Sequence, residues 1–431
     1  MEYKAFASQA LEQFKSLPDE GDELYKRYFV AMPLVEMGES ISKPSVENED
    51  RLREAANRTA EELRKKFDVV VWSGGAFVSE SCKVARLLEM SDAEEALGSR
   101  MTSSREDKIA AFLDAYSSKV LLIDIPRETD ASLNLMFINT STPLPIEVMV
   151  NVGENSSLRM LEYCTSHSNQ KSLLGTMHEL KMAKYSKAEI NIIHNESKDT
   201  NVICWTKARG EEHSETKINF VYNGGSFTRS RNKVDIAGYD ARAEINELIV
   251  GAGDQKMDIS SNVINSAQSS NATLESKAVL MDRSVCILKG YALIDENAAE
   301  SRSYVNERGI ILDKAAHIDS IPSMSIRNSN VKATHSSATA PIDEESIFYL
   351  MSRGASELEA KRMIVNGFIT GIIGKIGDVL VREIVASIVN EKVTTRNFGF
   401  VPKVTTESMW LAGIAHASSS IFKGHYKYRG E

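Results

Sequence analysis

VKATHSSATAPIDEESIFYLMSRGASELEAKRMIVNG, residues 331–367, is where the chain changes character. Thr334-His335-Ser336-Ser337 reads as a polar turn of small residues, and two helix signals follow it without a linker. Asp343, Glu344 and Glu345 put negative charge where a first helical turn favours it, and Ile347, Phe348, Leu350 and Met351 form an apolar face. Gly354 can end that helix in a left-handed conformation. Ser356 and Glu359 have the spacing of a capping box, in which hydroxyl and carboxylate each satisfy an orphan amide of the next helix.

Upstream of this junction the pattern is that of strands. From about Val120 to Thr339 short apolar runs follow one another, among them Val120–Ile125, Ile146–Val150, Val202–Trp205, Ile218–Tyr222 and Val285–Leu288. Turns rich in Asn, Ser, Gly and Asp divide them, and the only helical pattern is a weak one near Gln170–Thr176. A large β-sandwich and a parallel β-helix both fit, and the uneven spacing of the runs does not choose between them. Residues 1–115 read as mostly helical, with a paired-charge helix over 47–66, a short strand–turn–strand at Val69–Trp72 and Ala76–Val78, and broken helix over 91–119. Downstream, three helices are expected at 343–353, 356–374 and 378–392, with a further one over 408–421. Gly367, Gly371 and Gly374 in the second imply a close approach or a break. The expected domains are therefore 1–115, 116–340 and 341–431.

Composition narrows function. Of 431 residues, 51 are Lys or Arg and 60 Asp or Glu, a net charge of −9 that argues against a general nucleic-acid binder. The N-terminus lacks the basic region and apolar core of a signal peptide, and Met363–Val381 is interrupted by Asn366, Lys375 and Asp378, so no membrane partner and a soluble, cytoplasmic protein are expected. Cys82, Cys164, Cys204 and Cys286 are scattered, with no metal-finger spacing, and read as apolar core. Gly371-Ile372-Ile373-Gly374-Lys375-Ile376 fails as a P-loop, because the glycines are too close and no hydroxyl follows the lysine. Arg229 and Arg231 read as solvated or paired surface cations, and Cys204-Trp205 as lining an interior.

His335, Asp343-Glu344, Phe348-Tyr349, Arg353-Gly354 and Asn366-Gly367-Phe368, in that order and spacing, resemble the SufB/SufD family of iron–sulfur cluster assembly scaffolds. Gly224-Gly225-Ser226-Phe227-Thr228-Arg229 with Arg231-Asn232 and Gly238, and Lys277-Ala278-Val279-Leu280 with Gly290 and Ala298, are similar to further family runs; Asn265 departs, where many members have histidine. The resemblance implies a mainly β protein with a right-handed parallel β-helix core between helical ends. It implies a non-catalytic scaffold that meets a SufC-type ATPase through C-terminal helices, with Ile347, Phe348, Tyr349, Arg353, Met363 and Phe368 as the docking candidates. It implies pairing with itself or a SufB-type subunit through the β-helix, with His335 and Glu307 as iron ligands at that interface, and a transient iron–sulfur cluster in place of a permanent cofactor. Ala333 stands where SufD-type proteins often have cysteine, and Ser336 where SufB-type proteins have glutamate. With Glu307 near the position of a SufB cysteine, the chain resembles SufD more and is not expected to receive sulfur, since a carboxylate cannot carry a persulfide. Two other readings are a β-helix carbohydrate lyase or esterase, and a purely structural homodimer.

Overall fold

The computed structural model describes residues 3–17, 67–72, 75–80, 82–93, 98–139, 143–166 and 171–399. The helices expected over 47–66 and 408–421 lie outside these residues.

The described strands in chain order are β1 (Val69–Trp72), β2 (Gly75–Val78), β3 (Ala85–Glu89), β4 (Lys119–Ile125), β5 (Asp130–Asn139), β6 (Leu144–Val152) and β7 (Ser157–Ser166). Then come β8 (Ser172–Met182), β9 (Lys187–His194), β10 (Thr200–Gly210), β11 (Glu215–Tyr222), β12 (Phe227–Ile236), β13 (Arg242–Gly251) and β14 (Lys256–Asn265). The last are β15 (Asn271–Leu280), β16 (Val285–Ile294), β17 (Arg302–Ile311), β18 (His317–Ser320), β19 (Ser323–Ile326) and β20 (Lys332–Pro341). They form two sheets, β2-β1-β5-β7-β9-β11-β13-β15-β17-β20 and β18-β16-β14-β12-β10-β8-β6-β4-β3, with β19 also on β16. Apart from the β1–β2 and β3–β4 pairs every pairing is parallel. Consecutive strands from β4 to β17 alternate between the sheets, so the chain winds as a parallel β-helix of about seven turns. This is the expected architecture, with helices at both ends.

Stacking explains why these residues make these strands. Partners on successive coils lie from 26 residues apart (Asn201 and Phe227) to 32 (Val285 and His317), so like side chains form columns through the molecule. Ile190, Ile218, Ile245, Leu274 and Val305 make one inward column, each at most 1 % exposed. Outside the first sheet Asn191, Asn219 and Asn246 form a ladder, each amide donating to the one before at 2.8 and 2.9 Å. One corner repeats in every coil: Asn155, Tyr185, His213, Asp240, Ser269 and Glu300 all adopt left-handed backbone, φ from 48° to 62°. Each is followed by a small buried residue, Ser156, Ser186, Ser214, Ala241, Ser270 or Ser301. Several of these hydroxyls cap the turn, as Ser186 does on the Ala183 carbonyl at 2.6 Å. Gly224 and Gly238 let neighbouring coils touch, since a Cβ on either would lie 2.0 Å from a backbone nitrogen of the coil beneath.

Helices close the outer faces. α1 (Tyr3–Ser16) and α2 (Lys108–Tyr116) bring Phe14 and Phe112 onto Leu173, Met177, Ile203 and Trp205 of the second sheet. α3 (Glu344–Ser352), α4 (Glu357–Ile373) and α5 (Val379–Thr395) follow β20. Of these, α4 and α5 bury Val365, Ile369, Ile372, Val385, Ile388 and Val389 against the first sheet. Lys375, after α4, pairs with Glu244 at 2.9 Å and Glu275 at 2.8 Å. None of the helices among the described residues is long and apolar enough to cross a membrane.

Several expectations need correcting. The Thr334–Ser337 stretch is strand, because its small β-competent residues continue the columns of β17. The weak helical pattern near Gln170–Thr176 is not borne out over its described residues, where Ser172–Met182 is β8. Over 91–119 the described helix is confined to a single 3₁₀ turn and α2, and β3 interrupts the helical N-terminal region. Arg229 and Arg231 are not surface groups but buried partners of Asp258, at 3.2 and 2.6 Å. Cys204 faces the interior as expected, whereas Trp205 points outward beneath α2. The capping box of Ser356 and Glu359 forms, and Gly354 takes φ +99° after α3. Asp343 is the N-cap itself, accepting from the amides of Glu345 and Ser346. Gly374 ends α4, Gly371 approaches the Lys277 ammonium, and Gly367 meets nothing.

Candidate functional site

The coil stack ends at β20, whose neighbour on one side is β17 and which has none on the other among the described residues. Nine of its ten residues are solvent-exposed, Ala333 alone being half-buried. A ten-residue strand with a free edge offers unsatisfied backbone donors and acceptors to another chain.

His335 belongs to that strand by register. It stacks over Val305 as the last member of the column Ile190–Ile218–Ile245–Leu274–Val305. An aliphatic side chain there would have nothing above it, and the imidazole instead is exposed. Two positions further along, Ser337 stacks over Glu307, and Glu307 over Ser276 and Glu247. Glu307 is only 1 % exposed and accepts from the Ser320 hydroxyl and the amides of Gly290 and Ile321. Gly290 makes room for it, since a Cβ there would lie 2.5 Å from Oε1. Burial pushes its carboxyl up to about 7 against the lowering effect of those hydrogen bonds. Ser320 also meets Ser337 at 2.7 Å, which links the enclosed carboxyl to the surface strand. The structure therefore brings His335 and Glu307, the two expected interface ligands, to the same end, with Glu307 enclosed one coil below the exposed His335.

The docking candidates divide. Phe348 is 74 % exposed, Tyr349 56 % and Met363 55 %, while Arg353 is exposed and lies over the Tyr349 ring at 5.3 Å. Ile347 of α3 and Phe368 of α4 are instead half-buried against the cluster that α4 and α5 form with the first sheet, with the Lys277 ammonium 5.1 Å from the Phe368 ring. α3 has no buried residue although five of its nine are apolar or aromatic. Apolar surface of this kind marks a protein contact. The Gly371–Ile376 segment sits at the C-terminal end of α4, where a helix offers carbonyls, the wrong polarity for phosphate.

Sequence reasoning passed over one grouping. Cys164, His178, His194, Glu196 and Cys204 are all fully enclosed inside the coils, and the first, third and fourth converge. Linear spacing hides this because Cys164 and His194 are one coil apart, and the coil length shows only in the register.

The family profile described as "SUF system FeS cluster assembly, SufBD core domain" matches residues 137–368. An iron-sulfur cluster assembly SufBD family protein of Archaeoglobus fulgidus is 29 % identical over 220 residues, 51 % of this chain and 59 % of the relative. The iron-sulfur cluster assembly protein SufD of Bacillus subtilis is 22 % identical over 297 residues, covering 67 % of each chain. SufB of the same organism is 26 % identical over 269 residues, 61 % of this chain and 58 % of the relative. The aligned part thus spans about three-fifths to two-thirds of the relatives' length.

Proposed function

Because this chain belongs to the SufBD family of SUF-system iron–sulfur cluster assembly proteins, we propose that it is a non-catalytic, SufD-like scaffold subunit of such an assembly complex. The observation that carries this reading is β20, an uncovered strand at the end of the coil stack with His335 exposed upon it. A second copy or a SufB-type subunit pairs along this edge, and His335 contributes a neutral imidazole ligand to iron at the interface. The iron–sulfur cluster is cargo, assembled there and passed on. Glu307 supports that end through Ser320 and Ser337. The SufD-like role is favoured by Ala333, Ser336 and Glu307, none of which can carry sulfur, and by the longer alignment with SufD. A lyase or esterase is disfavoured because the carboxyls that burial pushes up among the described residues, Asp114, Glu147, Glu247 and Glu307, are all enclosed.

A SufC-type ATPase docks on the exposed face of α3 and α4, around Phe348, Tyr349 and Met363. Titrating the purified chain with its cognate ATPase, while following complex size and ATP turnover, tests this; no complex at tens of micromolar would sink it. Anaerobic reconstitution with iron and sulfide tests the interface: His335→Ala should lose the charge-transfer absorption of the wild type. Identical spectra would remove His335 from the chemistry and favour the purely structural homodimer.

A further inference from the structure

Far from the open end, the inward faces of the coils hold a second group of metal-ligating side chains. Cys164 on β7 lies in register with His194 on β9, and Glu196 follows two residues after His194. All three are buried to 0 % exposure, and one ligand atom from each lies within 4.8 Å of the others. His194 Nδ1 and Glu196 Oε1 are 2.8 Å apart, so the ring donates from Nδ1 and presents its Nε2 elsewhere. Both His194 Nε2 and Glu196 Oε2 are enclosed without a hydrogen-bond partner. A carboxylate oxygen with no donor, and an imidazole nitrogen met only by the weak thiol contacts of Cys164 and Cys204, are costly in a dry interior unless something binds them. Cys204, on the neighbouring sheet, lies 3.9 Å from His178 Nδ1 and also interacts with the His194 ring. His178 is in turn held by Glu162 at 2.9 Å.

The backbone around this group is fixed. The Asn195 amide donates to the Cys164 carbonyl at 2.9 Å and the Asn223 amide to the His194 carbonyl at 2.9 Å. Gly224 presses on the backbone of Glu196, where no Cβ fits.

We propose that Cys164, His194 and Glu196, with Cys204 as the fourth ligand, form a closed structural site inside the β-helix for one divalent transition-metal ion, zinc or ferrous iron. Thiolate, imidazole and carboxylate together suit an ion of this borderline softness and exclude calcium or magnesium. Donor atoms around such a tetrahedral ion stand roughly 3.3–3.8 Å apart, somewhat closer than the 4.8 Å within which the Cys164, His194 and Glu196 ligand atoms lie, so binding draws them together. Cys164 and Cys204 each give up the thiol proton as the sulfur binds, and both protons leave with the water displaced from the ion. Because the coils enclose the site, the ion enters as the chain folds and is held thereafter. This site is distinct from the cargo iron at His335.

Cobalt(II) is the probe. The full chain, unfolded and refolded anaerobically with Co²⁺ and then desalted, should retain about one ion per chain with thiolate-to-cobalt absorption in the near ultraviolet. The band should survive in His335→Ala and in the Cys82→Ser/Cys286→Ser double variant, which leave the cluster intact. It should be lost in Cys164→Ser and weakened in Cys204→Ser, with far-ultraviolet circular dichroism confirming the fold. Metal analysis of the protein as purified then tells zinc from iron. Folded wild type that retains no cobalt overturns the proposal; so does a band that disappears in the double variant or persists in folded Cys164→Ser.

Discussion

Glu307 shows how one enclosed side chain can couple the open end to pH. In the unfolded chain its carboxyl titrates at an ordinary 4.5, whereas in the fold burial pushes it up to about 7. Between those values the folded protein holds a proton that the unfolded chain has lost, so the contribution is full below 4.5 and fades as pH rises through about 7. Glu307→Gln should remove this slope and be the more stable form at pH 8 by on the order of 1–3 kcal/mol, read from urea midpoints across pH. Lys392 on α5 has the opposite sense. Fully buried, with its amine donating to the carbonyls of Asn223 and Val250, it is held well below the usual lysine range by burial. The unfolded chain then binds the extra proton, and stability rises with pH towards 10.5, a rise that Lys392→Met should flatten.

At the scale of elements, α3 and β20 stand out as uncovered among the described residues. Since Phe348 and Tyr349 lie on the exposed side of α3, Phe348→Glu with Tyr349→Glu should leave thermal stability within about 0.5 kcal/mol while weakening ATPase binding at least ~10-fold. An equal loss of stability would instead make those rings structural. Edge strands are commonly protected by lysine, so Ala338→Lys with Ala340→Lys should block strand pairing at β20 without disturbing the coils. Sedimentation, alone and with a SufB-type subunit, should show the association of the wild type abolished; unchanged association would move the interface elsewhere. The reading of α3 as a helix rested on local signals, namely acids in the first turn and a glycine stop, and both form, with Asp343 one place earlier as the N-cap. The turn read at Thr334–Ser337 rested on local signals too. It failed because register with β17, not propensity, makes this segment a strand.

For the whole molecule, the N-terminal helices are tied to the coils by a charged group as well as by aromatic packing. Arg100 is 4 % exposed and meets Asp114 at 2.5 Å, Glu147 at 3.4 Å and Glu179 at 3.8 Å. Burial alone would lower the guanidinium, but the three carboxylates outweigh it and hold it charged. Arg100→Met leaves those carboxylates without their cation and should cost about 3–5 kcal/mol in urea unfolding, with the β signal of the remaining coils retained.

The mainly β body, the helical end and its caps were legible in the sequence, since apolar runs, turn residues and capping pairs act over a few neighbours. The family resemblance likewise lay in side chains that can be read one at a time, His335 and Arg353-Gly354 among them. What the sequence did not disclose is what depends on coil length. Spacings that vary between 26 and 32 residues blurred the repeat, although the small buried residue after each left-handed corner carried it. Only the tertiary structure stacked Cys164 against His194, enclosed Glu307 beneath Ser337 and buried Arg231 on Asp258. Those contacts join residues a whole coil apart, and it is backbone pairing between coils that decides which of them meet.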